Sequence, residues 1–585
     1  MNNLVPSYWG RPLEHYLSDY MLWGAVTVDS LMSSDNLTMI DEFRDNIDRV
    51  SAIASGDPDM SNQVSVSTLR SLHRMPYKPE TYVHMANPPL ISGCIKLMAS
   101  IRGSGKPSPF SYELGYLSFR LVEICLGACL LDNHRVLAFK TRSPLCKPNL
   151  VPPVVEELST HAGGGRESYN CVLGWSFCPD HATADYPLII SLSDTRLLME
   201  LLYSDRKLFL EAMRATHAIA GNLSALVFLF WRYVNYQRLL QGQLLSKKLR
   251  IPMLEIFYRC WVVSSTDQHA AFSHMYLCDK DQWPPWNELL HKVDPEDSRE
   301  LVRAFTGHFV AANKFTFSDP ITVSVLDIPN ALYFLAYRIV PESEDLVGAF
   351  VETMIQRLWC AIADREESNE LLIDSISTSL VWLRTILQQF HNTWETNTMP
   401  LSNIVLAMVN SELLPLVGRA MLLLEPFQSL DRQTPDLVKR SKIMAASRLL
   451  FEGISQVVPR DFLEMAFLHT LPVYWQVSRQ MEFMSLVVFP EDIYPRRVRR
   501  GFYTVCVEIW NALCHSIADS QSRQGQGGVC ANPRCPSPGI PEGTAYACSR
   551  CSGIYYCTPR CQAITIRSHR VVLSISDPKT AMSEP

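Results

Sequence analysis

Along most of the chain, apolar positions recur at steps of three and four. In LLIDSISTSLVWLRTILQQF, Leu372, Ile376, Leu380, Leu383, Leu387 and Phe390 fall on one face of a helix with 3.6 residues per turn. In DPEDSRELVRAFTGHF, Asp294 stands where an N-cap belongs and Pro295 at the first helical position. Leu301, Val302, Phe305 and Phe309 then form the apolar stripe. DTRLLMELL, beginning at Asp194, repeats the pattern, as do the stretches around 345–365, 400–424, 435–452 and 460–480. Alternation of period two, the mark of strands, is rare and short.

These patterns predict a mainly α fold: one large helical domain over residues 1–518. Stacked helix pairs of armadillo or HEAT type are one arrangement, and a compact irregular domain is the other. The letters carry no repeat of fixed period. Two stretches interrupt the helices. Residues 143–187, with CKPNLVPPVV and HAGGGRES, are rich in Pro and Gly and read as a long loop or internal boundary. DSQSRQGQGGV, Asp519 to Val529, has no large apolar residue before Val529 and reads as a flexible linker. A small separate domain is expected over 530–573, and 574–585 reads as a disordered tail.

The 585 residues, 47% hydrophobic and 19% charged, place the chain in the soluble globular class. A net charge of −6 argues against nucleic-acid binding along the whole length. MNNLVPSYWGRPLEHY lacks the basic and apolar regions of a secretory leader. The longest apolar run, roughly Ala218 to Trp231, falls short of the ~20 residues of a membrane span. An intracellular protein, in cytoplasm or nucleus and without a membrane, is the expectation.

Cysteine placement changes the picture. Of 17 cysteines, eleven are scattered over the first 520 residues and read as small buried hydrophobes. Six crowd into Cys530–Cys561, as Cys530-x4-Cys535, Cys548-x2-Cys551 and Cys557-x3-Cys561, with His569 downstream. Thiolate and imidazole at such spacings are zinc ligands, because one turn presents two of them to one ion. Size argues the same way. About 45 residues with few apolar side chains rarely fold alone, whereas structural Zn²⁺ supplies ~10–16 kcal/mol of apparent binding free energy. A looser group, Cys171, Cys178 and His181 with His161 as a distant fourth ligand, reads better as buried thiols in an irregular loop.

The pattern from Cys530 through YYCTPRCQ to His569 resembles a MYND-type zinc finger. The resemblance implies two interleaved zinc ions. One would be held by Cys530, Cys535, Cys557 and Cys561, the other by Cys548, Cys551, His569 and a further cysteine. Leu573 occupies the position of that cysteine, and Ile566 that of the usual tryptophan. A degenerate second site, a borrowed ligand such as Asp577, and a C-terminal sequence without family character are the readings left open.

The resemblance further implies a non-enzymatic adaptor that docks proline-rich peptides near Gln562, often of the form P-x-L-x-P. Pro148-Asn149-Leu150-Val151-Pro152 fits that form, so self-docking on this loop is an expectation. The competing reading is a nucleic-acid-associated finger. Between Cys530 and Leu573, Arg534, Arg550, Arg560, Arg567 and Arg570 face only one acid, Glu542. Catalytic motifs fail. Asn133-His134 is followed by Arg135 rather than the cysteine of SET-domain methyltransferases, and RGSGKPS lacks the first glycine of a phosphate loop.

Overall fold

The computed structural model describes residues 7–23, 37–55, 63–74, 79–101, 108–133, 137, 154–159, 188–216, 222–241, 243–279, 293–310, 323–393, 399–424, 435–486, 496–517, 530, 532, 546–547 and 555–561. The chain divides into two compact units, Met1–His308 and Phe309–Pro585. The linker expected at 519–529 and the tail at 574–585 lie outside the described residues. So does the loop at 143–187, apart from a short helix at 154–159.

The helices of eight residues or more in the first unit are α1 (Leu13–Trp23), α2 (Leu37–Ala52), α3 (Val66–Arg74), α4 (Pro88–Ile101), α5 (Glu113–Asn133), α6 (Leu192–Ser204), α7 (Arg206–Ala215), α8 (Leu223–Gln241), α9 (Gln243–Val263), α10 (Thr266–Asp279) and α11 (Pro295–Phe309). The second unit has α12 (Ile328–Ala336), α13 (Glu344–Asp364), α14 (Asn369–Thr393), α15 (Met399–Asn410), α16 (Leu413–Leu422), α17 (Pro435–Val457), α18 (Arg460–Phe467), α19 (Leu471–Leu486) and α20 (Arg496–Ile517).

The predicted stripes are the buried faces. All six stripe residues of α14, Leu372, Ile376, Leu380, Leu383, Leu387 and Phe390, are buried, as are Leu301, Val302, Phe305 and Phe309 of α11. Asp294 caps α11 by accepting the Glu296 amide at 3.0 Å. At α6 the start differs from expectation. Ser191 is the cap, taking the Asp194 amide at 3.0 Å, and Asp194 instead accepts the Ser92 hydroxyl of α4 at 2.8 Å.

The apolar pattern over 400–424 is one stretch in the sequence and two helices in space, bent by 48°. Glu412 sits in the left-handed region at φ 61°. Three residues on, Pro415 has no N–H for the Ser411 carbonyl and its ring would clash there. That carbonyl accepts the Trp359 indole N–H of α13 instead, at 3.2 Å.

Among the described residues, two helices, Glu113–Asp132 and Glu344–Asp364, are long and apolar enough to cross a membrane by length and composition. A search for unbroken apolar runs misses the first because Arg120 and Glu123 interrupt it. The structure pairs these two at 2.8 Å inside the core, and 94% of that window is buried in the protein.

The first unit is not a one-dimensional stack in which each repeat meets only its neighbours. α1 packs on α7, and the Tyr16 hydroxyl donates to the Phe110 carbonyl at 2.6 Å. The buried Glu113 carboxylate collects Arg11 (2.9 and 3.0 Å), Arg70 (2.6 Å twice) and the Tyr20 hydroxyl (2.8 Å). Three segments of chain thus meet on one charge. Burial opposes its ionisation, yet the hydrogen bonds from Arg11, Arg70 and Tyr20 win and hold its pKa down at about 2.

Because the folded pKa lies below the ordinary 4.5, the stabilisation is complete above that value and is lost as the pH falls from 4.5 towards 2. Glu113→Gln should cost about 3 kcal/mol at pH 7, the lower end for breaking a buried pair, since both arginines keep water access. Denaturant melts of the two proteins should show that gap shrinking below pH 4.5. A gap that is constant from pH 7 to pH 2 would contradict the assignment.

Candidate metal centre

The site is built on two minimal pieces of secondary structure. β1 (Tyr546–Ala547) pairs antiparallel with β2 (Tyr555–Tyr556), Tyr546 opposite Tyr556 and Ala547 opposite Tyr555. A two-residue ladder has no independent stability in water. Directly after β2 come Cys557 and Thr558, then a single helical turn at 559–561. Pro559 fits its first position because that N–H has no helical partner. Thr558 caps the turn, its hydroxyl oxygen accepting the Cys561 amide at 3.1 Å.

This turn brings Cys561 back over Cys557, with the two Sγ atoms 3.7 Å apart. Cys530 joins them from the start of the segment, and the three sulfurs lie within 4.8 Å of one another. Cys530 and Cys561 are buried, Cys557 is half-buried, and Tyr556 and Asn532 are buried beside them.

The spacing tests the metal directly. Sulfurs at ~2.3 Å from a tetrahedral zinc ion are ~3.8 Å apart, whereas a disulfide would bring them to ~2.05 Å. The 3.7 Å between Cys557 and Cys561 matches the edge of a zinc tetrahedron, and none of the three cysteines is in a disulfide. The residues present therefore fit three corners of a zinc site.

Of the seven ligands expected from the sequence, the structure brings together Cys530, Cys557 and Cys561. Cys535, Cys548, Cys551 and His569 lie outside the described residues. So do Gln562, Ile566, Leu573 and Asp577, the Pro148–Pro152 loop, and the alternative group of His161, Cys171, Cys178 and His181. Ala547, after which Cys548 follows, ends one side of the ladder; Tyr556, after which Cys557 follows, ends the other. Thr558 and Asn532 had no role in the ligand pattern. Thr558 was detectable, since Thr-Pro is a helix-start signal, whereas nothing in the letters marks Asn532.

The thiols of the helical units contrast with this group. Cys94, Cys125, Cys129, Cys260, Cys506 and Cys514 are buried as expected, and Cys360 is half-buried. Desolvation pushes Cys506 up to about 12 and raises Cys94, Cys125, Cys129 and Cys260 further. They stay protonated at neutral pH and are poor ligands or nucleophiles.

Comparison with known proteins agrees with the geometry. Residues 530–572 match the family model of the MYND finger. No curated protein and no solved structure matches the chain. Residues 530–572 are a MYND-type zinc finger, and the described residues before them are mostly helical.

Thr558→Ala should remove the cap of the one helical turn that sets the sulfur spacing. The loss is about 1 kcal/mol, or roughly fivefold in zinc retention. Competition with a chromogenic chelator measures it, and unchanged zinc affinity would count against the turn as the spacing element.

Proposed function

We propose that this chain is a non-enzymatic adaptor: a helical body that carries a zinc-folded finger, and a finger that docks partner proteins. The observation that carries the reading is the gathering of Cys530, Cys557 and Cys561, their sulfurs within 4.8 Å of one another and 3.7 Å apart between Cys557 and Cys561, in a segment too small to fold on its own core. The first ion is assigned to Cys530, Cys535, Cys557 and Cys561. A second is assigned to Cys548, Cys551 and His569, with a fourth ligand from outside the family position that Leu573 fills. Cysteines in such density outside disulfides belong in a reducing compartment, which favours cytoplasm or nucleus.

The partner class is a proline-rich peptide. Its extended conformation is largely preformed and therefore cheap to order on a small rigid module. Zinc here is structural: it fixes the Cys557–Cys561 turn and the ladder beside it, so that the finger presents one surface. The inert thiols of the body agree with binding rather than covalent chemistry there. A competing reading uses the exposed Arg560 and its neighbouring arginines to bind nucleic-acid phosphates.

Binding of a P-x-L-x-P peptide to the full chain tests the proposal. The expected result is saturable, salt-tolerant binding that Cys530→Ser with Cys561→Ser abolishes while the melting of the helical body stays unchanged. Binding to generic duplex DNA that falls steeply with salt, with no peptide binding, would favour the nucleic-acid reading and sink the adaptor.

A further inference from the structure

The second unit has an apolar cleft of about 430 Å³ where α16, α18, α19 and α20 meet. Its floor is made by Leu414, Phe467, Tyr474 and Ile517, all buried. Its rim is unusual: Met465 is 72% exposed and Leu468 57% exposed. Large apolar side chains left in water around an apolar cleft mark a surface that another molecule covers.

The polar inventory of the cleft says what kind of molecule. The Tyr474 hydroxyl donates to Asn511 Oδ1 at 2.6 Å, and the Thr470 hydroxyl donates to the Phe467 carbonyl at 2.7 Å. Both floor hydroxyls thus already donate within the protein. An extended peptide would bring one N–H and one C=O per residue into a cleft whose hydroxyls are already engaged. A helix satisfies its own backbone and can insert apolar side chains alone. The charged residues of the described lining, Asp461 and Glu464, are acidic, and Glu464 pairs with Arg460 at 3.5 Å. No Lys or Arg is among the described lining residues.

We propose that this cleft docks an amphipathic helix of a partner protein, one that carries Lys or Arg beside its apolar face. Apolar anchors at i, i+3, i+4 and i+7 enter over the floor between Met465 and Leu468. The basic flank meets Asp461 and Glu464, and an acidic helix is repelled. Methionine suits such a rim, because its flexible thioether adapts to different anchors.

The cleft lies at the end of the body that leads to the finger. Ile517 lines it, and residues 518–529 separate Ile517 from Cys530. Twelve residues span at most ~40 Å. A partner with a basic helix and a finger-binding peptide within that reach would bind both, and the second contact would form at high effective concentration. The cleft goes beyond the adaptor reading and does not depend on it, since it uses no finger residue.

The test is fluorescence anisotropy on the full zinc-loaded chain with a synthetic helix of roughly 18 residues, Leu at the anchor positions and Lys on both flanks. A twin peptide has Glu in place of Lys. The Lys peptide should bind saturably and the Glu twin at least about tenfold more weakly. Met465→Glu, at a position exposed enough to leave folding intact, should weaken the Lys peptide about tenfold or more. Asp461→Lys should narrow or invert the preference between the twins. Zinc removal should leave this binding in place, which separates it from any failure of the finger. Equal binding of both twins, absence of saturable binding, or indifference to both substitutions would overturn the proposal. So would a chain whose self-association is lost in Met465→Glu, because the occupant would then be a second copy.

Discussion

A tetrahedral zinc ion requires its sulfur ligands ~3.8 Å apart, and the C-terminal segment of this protein is organised around that distance. Cys557 and Cys561 meet it at 3.7 Å because one capped helical turn separates them. The ladder of β1 and β2 is too short to persist alone, and Tyr556 is a small core at best. Among the described residues of the segment, the order comes from local geometry that gathers thiolates, and a bound ion would return the free energy that a larger core would have provided.

The helical body solves the same problem differently. It has apolar faces enough to bury, and it then places charges inside. Glu113 draws in Arg11 and Arg70. Arg259 of α9 donates to both carboxylate oxygens of Asp297 in α11 at 2.8 Å. Arg357 in α13 reaches Glu366 at 2.6 and 2.9 Å and the Val323 carbonyl at 2.8 Å. Each such group is a weak source of net stability but a strict condition on which segments meet. Cysteine follows the same division. In the body, Cys94, Cys125, Cys129, Cys260 and Cys506 are buried and held protonated by desolvation; in the finger, Cys530, Cys557 and Cys561 are gathered together.

Much of this was legible in the letters, and the reason is locality. The stripe from Leu372 to Phe390 and the Asp294-Pro295 start are short-range signals, and both hold. The ligands Cys530, Cys557 and Cys561 were legible because zinc constrains spacing within a few residues. What failed to show was non-local or compensated. The link from Arg11 to Glu113 spans 102 residues, and no pattern announces it. The length of α5 was hidden because Arg120 and Glu123 look like interruptions until they are seen paired. Pro415 was a visible warning that 400–424 would break, but the apolar period ran through it. The rescue of the Ser411 carbonyl by Trp359 needed a helix 52 residues away. The cleft rimmed by Met465 and Leu468 was equally invisible, because exposure is a property of the packed helices.

The central claim is that the chain folds its C-terminal end around thiolate-bound zinc. X-ray absorption at the zinc edge of the full-length protein tests it most directly. The account predicts a first shell dominated by sulfur at ~2.3 Å. A first shell of oxygen and nitrogen alone, or a folded finger that contains no zinc, would contradict it.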